Sequence, residues 1–159
     1  MTSNVDRYWS QFVESLSRGA KRPARYVEAF FFGTKPKLAH EIADLVLAGI
    51  KTATGTLVWS LEADGKPLPR AGDYWVVTNG GDDPACIIKT LDAQVIPFNE
   101  VEERYARAGG EGDRSLQSWR DMYWSYIVAE CDRIGREPDE KAPLVMELFE
   151  VVYSEPLVE

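Results

Sequence analysis

The chain has 159 residues, the size of one ordinary domain, and its 45% hydrophobic and 28% charged content supports a real core under a solvated surface. A net charge of −8 and an isoelectric point near 4.8 argue against an electrostatic clamp for nucleic acid or an anionic membrane. The single histidine, His40, excludes a multi-histidine zinc or iron site, and the two cysteines, Cys86 and Cys131, make neither a metal spacing nor a disulfide framework.

Asp6 to Arg18 reads as a helix, because Tyr8, Trp9, Phe12, Val13 and Leu16 recur on one face. Ser17–Arg25 is a basic segment with Gly19 and Pro23, expected as a linker or surface loop. Tyr26 to Phe32 is an apolar run expected as a strand. A helix from about Lys37 to Ala48 follows, with Pro36 in its first turn, Leu38, Ile42, Leu45 and Val46 as its buried stripe, and Gly49 at its C-terminal cap. Leu57–Trp59 reads as a strand and Ala63–Gly72 as a turn-rich loop. Tyr74–Thr78 and Ala85–Thr90 are β-rich runs around NGGDDP, the signature of a hairpin, and Leu91–Ile96 continues the alternation. A short helix near Val101–Ala108, a GGEGDR loop, a long helix over Ser115–Ile134 and a strand over Pro143–Tyr153 complete the chain. The sum is an α+β fold: antiparallel strands forming a small β-barrel with helices packed around it. Residues 1–25 are expected as an N-terminal helix and basic linker, and 26–159 as the main domain.

The cysteines read as reduced thiols. No apolar run approaches the ~18 residues of a membrane span, and the start MTSNVDRYWSQ lacks the layout of a signal peptide, so a cytoplasmic protein with no membrane partner is expected.

Two stretches carry the chemistry. Gly49-Ile50-Lys51-Thr52-Ala53-Thr54-Gly55 places a lysine, two threonine hydroxyls before Gly55 and two glycines where a helix hands over to a strand. Such a junction can desolvate an ammonium and lower its pKa, so that Lys51 serves as a base toward Thr54. The same residues also make an ordinary Gly-capped helix end with an exposed lysine. Gly109-Gly110-Glu111-Gly112-Asp113-Arg114-Ser115 precedes the long helix, for which Asp113 or Ser115 is a natural N-cap. Glu111 has no such structural role and is a candidate partner for Lys51 or a ligand donor. Trp59 and Tyr123, close to these stretches in sequence, are candidates to stack on a base, although any single aromatic residue also fits a core. His40 reads as a surface residue, and Cys86 and Cys131 as packing residues.

With these residues in place the chain resembles the ASCH domain of the PUA-like superfamily. The resemblance rests on LAHEIADLVLAGIKTAT, LPRAGDYWVV and IPFNEVEERYARAGGEGDRSLQSWRDMYWSYI, and it covers about residues 27–153. It implies a PUA-like β-barrel with flanking helices and a cleft beside the Lys-Thr turn. Small bacterial members remove acyl groups from N4-acylcytidine and related nucleosides with a threonine nucleophile, a lysine and a glutamate. By position these fall on Thr54, Lys51 and Glu111, with Thr52, Gly55, Trp59, Arg114 and Tyr123 as substrate-binding candidates and no metal or cofactor. This chain departs at Thr56, where the small amidohydrolases carry arginine, and at Tyr123, where longer relatives often show histidine. The resemblance also implies two other functions: a ribonuclease using the same lysine-containing cleft, and a non-catalytic module that binds RNA or modified bases. The expected partner is a modified nucleoside, with RNA bound weakly and in a salt-dependent way. The sequence does not set the oligomeric state.

Overall fold

The computed structural model describes residues 3–33, 35–81 and 83–154. The first helix, α1 (Asn4–Ser15), begins where the Ser3 hydroxyl accepts from the Asp6 N–H. It buries Tyr8, Trp9 and Phe12 against Val76 and Ile87. The exposed Arg22 guanidinium donates to the carbonyls of Val13 and Leu16 and so closes the free end of this helix.

The apolar run Tyr26–Phe32 contributes only a two-residue strand, β1 (Ala29–Phe30), flanked by a bond from the Val27 N–H to the Tyr74 carbonyl. In α2 (Pro36–Leu47) the buried face is Ala39, Ile42, Ala43 and Val46. Leu38, expected in that stripe, is exposed, because the i, i+3, i+4, i+7 row begins one residue later. His40 is exposed and 3.9 Å from Asp44.

The strand expected at Leu57–Trp59 lies earlier, at β2 (Ala53–Leu57), and Trp59 belongs to the short α3 (Val58–Ala63). The β-branched threonines of the Lys-Thr segment pair with a strand rather than form a turn, which displaces the element by four residues. The two runs expected around Leu91 are one long strand, β4 (Pro84–Pro97), antiparallel to β3 (Tyr74–Thr78). The loop between β3 and β4 includes Asp82, outside the described residues, and is tied by the Asn79 N–H to the Asp83 carbonyl. A 3-10 turn over Phe98–Glu100 leads to α4 (Glu103–Gly109), α5 (Leu116–Ile134) and β5 (Pro143–Tyr153).

The sheet order is β1-β3-β4-β5-β2, with β1 parallel to β3 and the β3–β4 and β2–β5 pairs antiparallel. The fold is α+β as expected, and the sheet is a partial barrel that does not close, with β1 and β2 at its ends. The chain resolves into two compact units. One holds α1, β1, α2, β3 and the start of β4, around the α1 aromatic cluster. The other, Ile50–Ala71 with Thr90–Phe149, has its own core of Leu57, Tyr105, Trp119, Ile127, Leu144 and Met146, and it carries the site.

Candidate active site at the Lys51 turn

Gly49, at φ +74°, ends the α2 segment in the left-handed conformation that glycine tolerates best, and the chain then runs extended into β2. The segment is strapped on both sides. The Thr52 N–H donates to the Ala108 carbonyl at 2.7 Å, and the Thr52 carbonyl accepts from the Phe149 N–H at 2.9 Å. Between these straps the Lys51 side chain turns inward and is 2% exposed.

The Lys51 Nζ donates to the Ala53 carbonyl at 2.9 Å, the Gly109 carbonyl at 3.2 Å and Glu111 Oε2 at 3.1 Å, all acceptors suited to an ammonium. Gly109 closes α4, so the cation also sits where the helix dipole is negative. Burial lowers the Lys51 pKa below its ordinary value, while the Glu111 carboxylate pulls it back up. The exposed-lysine alternative is therefore set aside: this lysine is buried and ion-paired with Glu111, which is itself only 21% exposed.

The second glycine of GGEGDR makes the approach possible. Gly110 has φ +72°, and a Cβ there would stand 2.8 Å from the Ile50 carbonyl oxygen and 3.0 Å from Lys51 Cα. Only a bare backbone lets the end of α4 come this close to the lysine turn. Past Glu111, Asp113 accepts from the Ser115 N–H and Ser115 accepts from the Ser118 N–H, so both candidate caps are used at the start of α5.

The edge strand β2 is covered by tyrosines of α5. Tyr123 Oη accepts from the Gly55 N–H and Tyr126 Oη from the Leu57 N–H, each at 3.0 Å, which occupies donors that an edge strand would otherwise leave open. Tyr123 also shares a hydrogen bond with the Thr54 hydroxyl, and its ring stacks on Trp119 at 4.4 Å. Burial, reinforced by the Glu111 charge, pushes the Tyr123 hydroxyl up to about 12, so it keeps its proton. Gly55 is needed here as well, since a Cβ would stand 2.8 Å from Met146 Sδ and 3.1 Å from Tyr123 Cε1.

Lys51, Thr52, Thr54, Gly55, Glu111 and Tyr123 thus form one connected set: Lys51 Nζ bonds the peptide carbonyl directly before Thr54, and Thr54 bonds Tyr123. Trp59 and Arg114 are engaged differently. The Arg136 guanidinium lies 3.8 Å from the Trp59 ring centroid and covers one of its faces. Arg114, exposed and at φ +65°, donates from Nε to the Arg107 carbonyl in the last turn of α4. The sequence reading missed Glu147, which is 6% exposed on β5, opposite Thr54 in the strand register, and accepts from the Thr90 hydroxyl at 3.0 Å. A lone carboxylate in the apolar run LVMELF was the available signal. Among the described residues no group of three or more His, Cys, Asp or Glu side chains is placed to hold a metal, and no helix is long and apolar enough to cross a membrane.

An open five-stranded mixed sheet with flanking helices and a buried lysine at a helix-to-strand turn defines an α+β domain of PUA-like type. The chain belongs to the ASCH domain family, whose model matches residues 28–153. It is similar to the ASCH domain from Lactobacillus crispatus JV V101, at 33% identity over 94% of each chain with a TM-score of 0.88. It is also similar to a protein from Enterococcus faecalis V583, at 26% identity over 93% of this chain and 87% of that one, TM-score 0.81. No curated protein matches the chain. The family is associated with RNA-binding and hydrolase roles.

Proposed function

We propose that the chain is a metal-independent amidohydrolase that removes acyl groups from N4-acylcytidine-type nucleosides. The observation that carries this reading is the buried Lys51 ammonium, ion-paired to Glu111 and anchored on the carbonyl of Ala53, one peptide from Thr54. Burial favours the neutral amine, and Glu111 at 3.1 Å orients the Lys51 nitrogen.

The neutral Lys51 amine then takes the Thr54 hydroxyl proton as the Thr54 oxygen attacks the acyl carbon. The carbonyl oxygen becomes an oxyanion. The Gly55 N–H is already bound to Tyr123 Oη. The Tyr123 O–H, which keeps its proton and lies against the Thr54 hydroxyl, donates to the oxyanion. Collapse breaks the C–N bond, the cytosine amine leaves with the proton held by Lys51, and water hydrolyses the acyl-threonine with Lys51 again as base. A neutral nucleoside suits a chain of net charge −8 better than a polyanion does.

The test is release of cytidine from N4-acetylcytidine, with and without chelator. Equal turnover in both is expected. Absence of release, or its loss on chelation, contradicts the reading.

A further inference from the structure

Glu147 is a buried carboxylate on a strand whose other inward residues are apolar. On β5 it shares a face with Val145 and Phe149, both buried. Burying a carboxylate among such neighbours is costly unless it is hydrogen-bonded, and an apolar residue would serve packing better. Its surroundings show what it faces. Thr90 on β4, 1% exposed, donates its hydroxyl to Glu147 Oε1 at 3.0 Å. On the other side, β2 places Thr54 directly opposite in the antiparallel register, the position at which Cβ atoms stand about 4.5–5.5 Å apart on the same face. A carboxylate is thus flanked by one hydroxyl on each neighbouring strand. The Tyr123 hydroxyl, which bonds Thr54, lies within the electrostatic reach of Glu147 as well.

We propose that Glu147 is a positioning residue for Thr54, with Thr90 holding the carboxylate so that one χ1 rotamer of Thr54 is selected. Threonine at a strand position chooses among three staggered rotamers that exchange its hydroxyl and methyl. An acceptor-only neighbour across the strand favours the rotamer that brings the hydroxyl toward it and turns the methyl away. Thr90 keeps that neighbour from rotating. The assignment rests on the reading of Thr54 as the nucleophile, and it adds to that reading the device that aims the attacking oxygen.

The test pairs a structural readout with a kinetic one. Three-bond couplings measured by NMR report the Thr54 χ1 populations in the wild type, in Glu147→Gln, in Thr90→Val and in Thr90→Ser. One dominant rotamer is expected in the wild type and in Thr90→Ser, and rotamer averaging in Glu147→Gln and Thr90→Val. With N4-acetylcytidine, Glu147→Gln should lower kcat by about tenfold to a hundredfold with KM almost unchanged, because aim is lost and substrate contact is not. Thr90→Ser, which keeps the hydroxyl, should retain kcat. A Thr54 rotamer unchanged in Glu147→Gln and Thr90→Val overturns the proposal. If Glu147→Gln does not fold, Thr90→Val decides by the same couplings. A wild type without hydrolysis removes the amidohydrolase reading, while the couplings still decide whether Glu147 orients Thr54.

Discussion

Gly110→Ala is the substitution that most sharply probes how the lysine turn is built. Two costs follow from the structure. At φ +72° an alanine is held in the left-handed region, at a cost of about 1 kcal/mol. Its Cβ would also stand 2.8 Å from the Ile50 carbonyl oxygen and 3.0 Å from the Ile50 carbonyl carbon and Lys51 Cα. All three are backbone atoms with no rotamer to yield, so overpacking adds about 1–3 kcal/mol. Gly49→Ala provides the internal control, since Gly49 has nearly the same φ, +74°, but nothing within 4 Å of its Cβ site. Urea unfolding should therefore show Gly110→Ala less stable than Gly49→Ala by about 1–3 kcal/mol. Relaxation of the clash must move Gly109 and Glu111 away from the lysine turn, loosening contacts of 3.2 and 3.1 Å to Lys51 Nζ, so cytidine release should fall in Gly110→Ala and persist in Gly49→Ala. Equal destabilisation of the two variants would refute the close approach of α4 to Ile50.

Stability should depend on pH through Lys51. Its folded pKa lies below 10.5, so in the window beneath that value the unfolded chain binds the extra proton and stability rises with pH. As the pH is raised toward 10.5, the urea midpoint should rise more in the wild type than in Lys51→Met, which removes the titration, and identical slopes would contradict the shift. RNA binding, if present, should be weak and steeply salt-dependent, because Arg18, Lys21, Arg22 and Arg25 are the exposed basic cluster of an acidic chain. Neutralising these four together should reduce RNA binding in a filter or fluorescence assay and leave nucleoside hydrolysis intact; nanomolar RNA binding at physiological salt would contradict the charge argument.

Much of the fold is written in local pattern. Tyr74–Thr78 and the long helix ending at Ile134 are where the sequence places them, since each has a clear period and a clear stop. The Lys-Thr segment was harder, because Gly49 and Gly55 punctuate it as a turn, whereas Gly55 lies inside β2 to admit Met146 and Tyr123. The Lys51–Glu111 partnership was suggested by residue type and by family resemblance. The burial that gives it chemical meaning comes from the docking of α4, a contact across about sixty residues that no local pattern encodes. Glu147 escaped for the same reason: its neighbours Thr90 and Thr54 are brought beside it only by strand pairing.

The measurement closest to the central claim compares N4-acetylcytidine turnover by the wild type, Thr54→Ala, Thr54→Ser and Lys51→Arg under one set of conditions. The account predicts a loss of about 10³-fold or more in Thr54→Ala with the fold intact, and partial activity in Thr54→Ser, which keeps the attacking oxygen. It predicts an inactive Lys51→Arg, because a guanidinium does not release its proton. Near-normal turnover in both Thr54→Ala and Lys51→Arg would contradict it and leave the Lys51 turn as a binding site without chemistry.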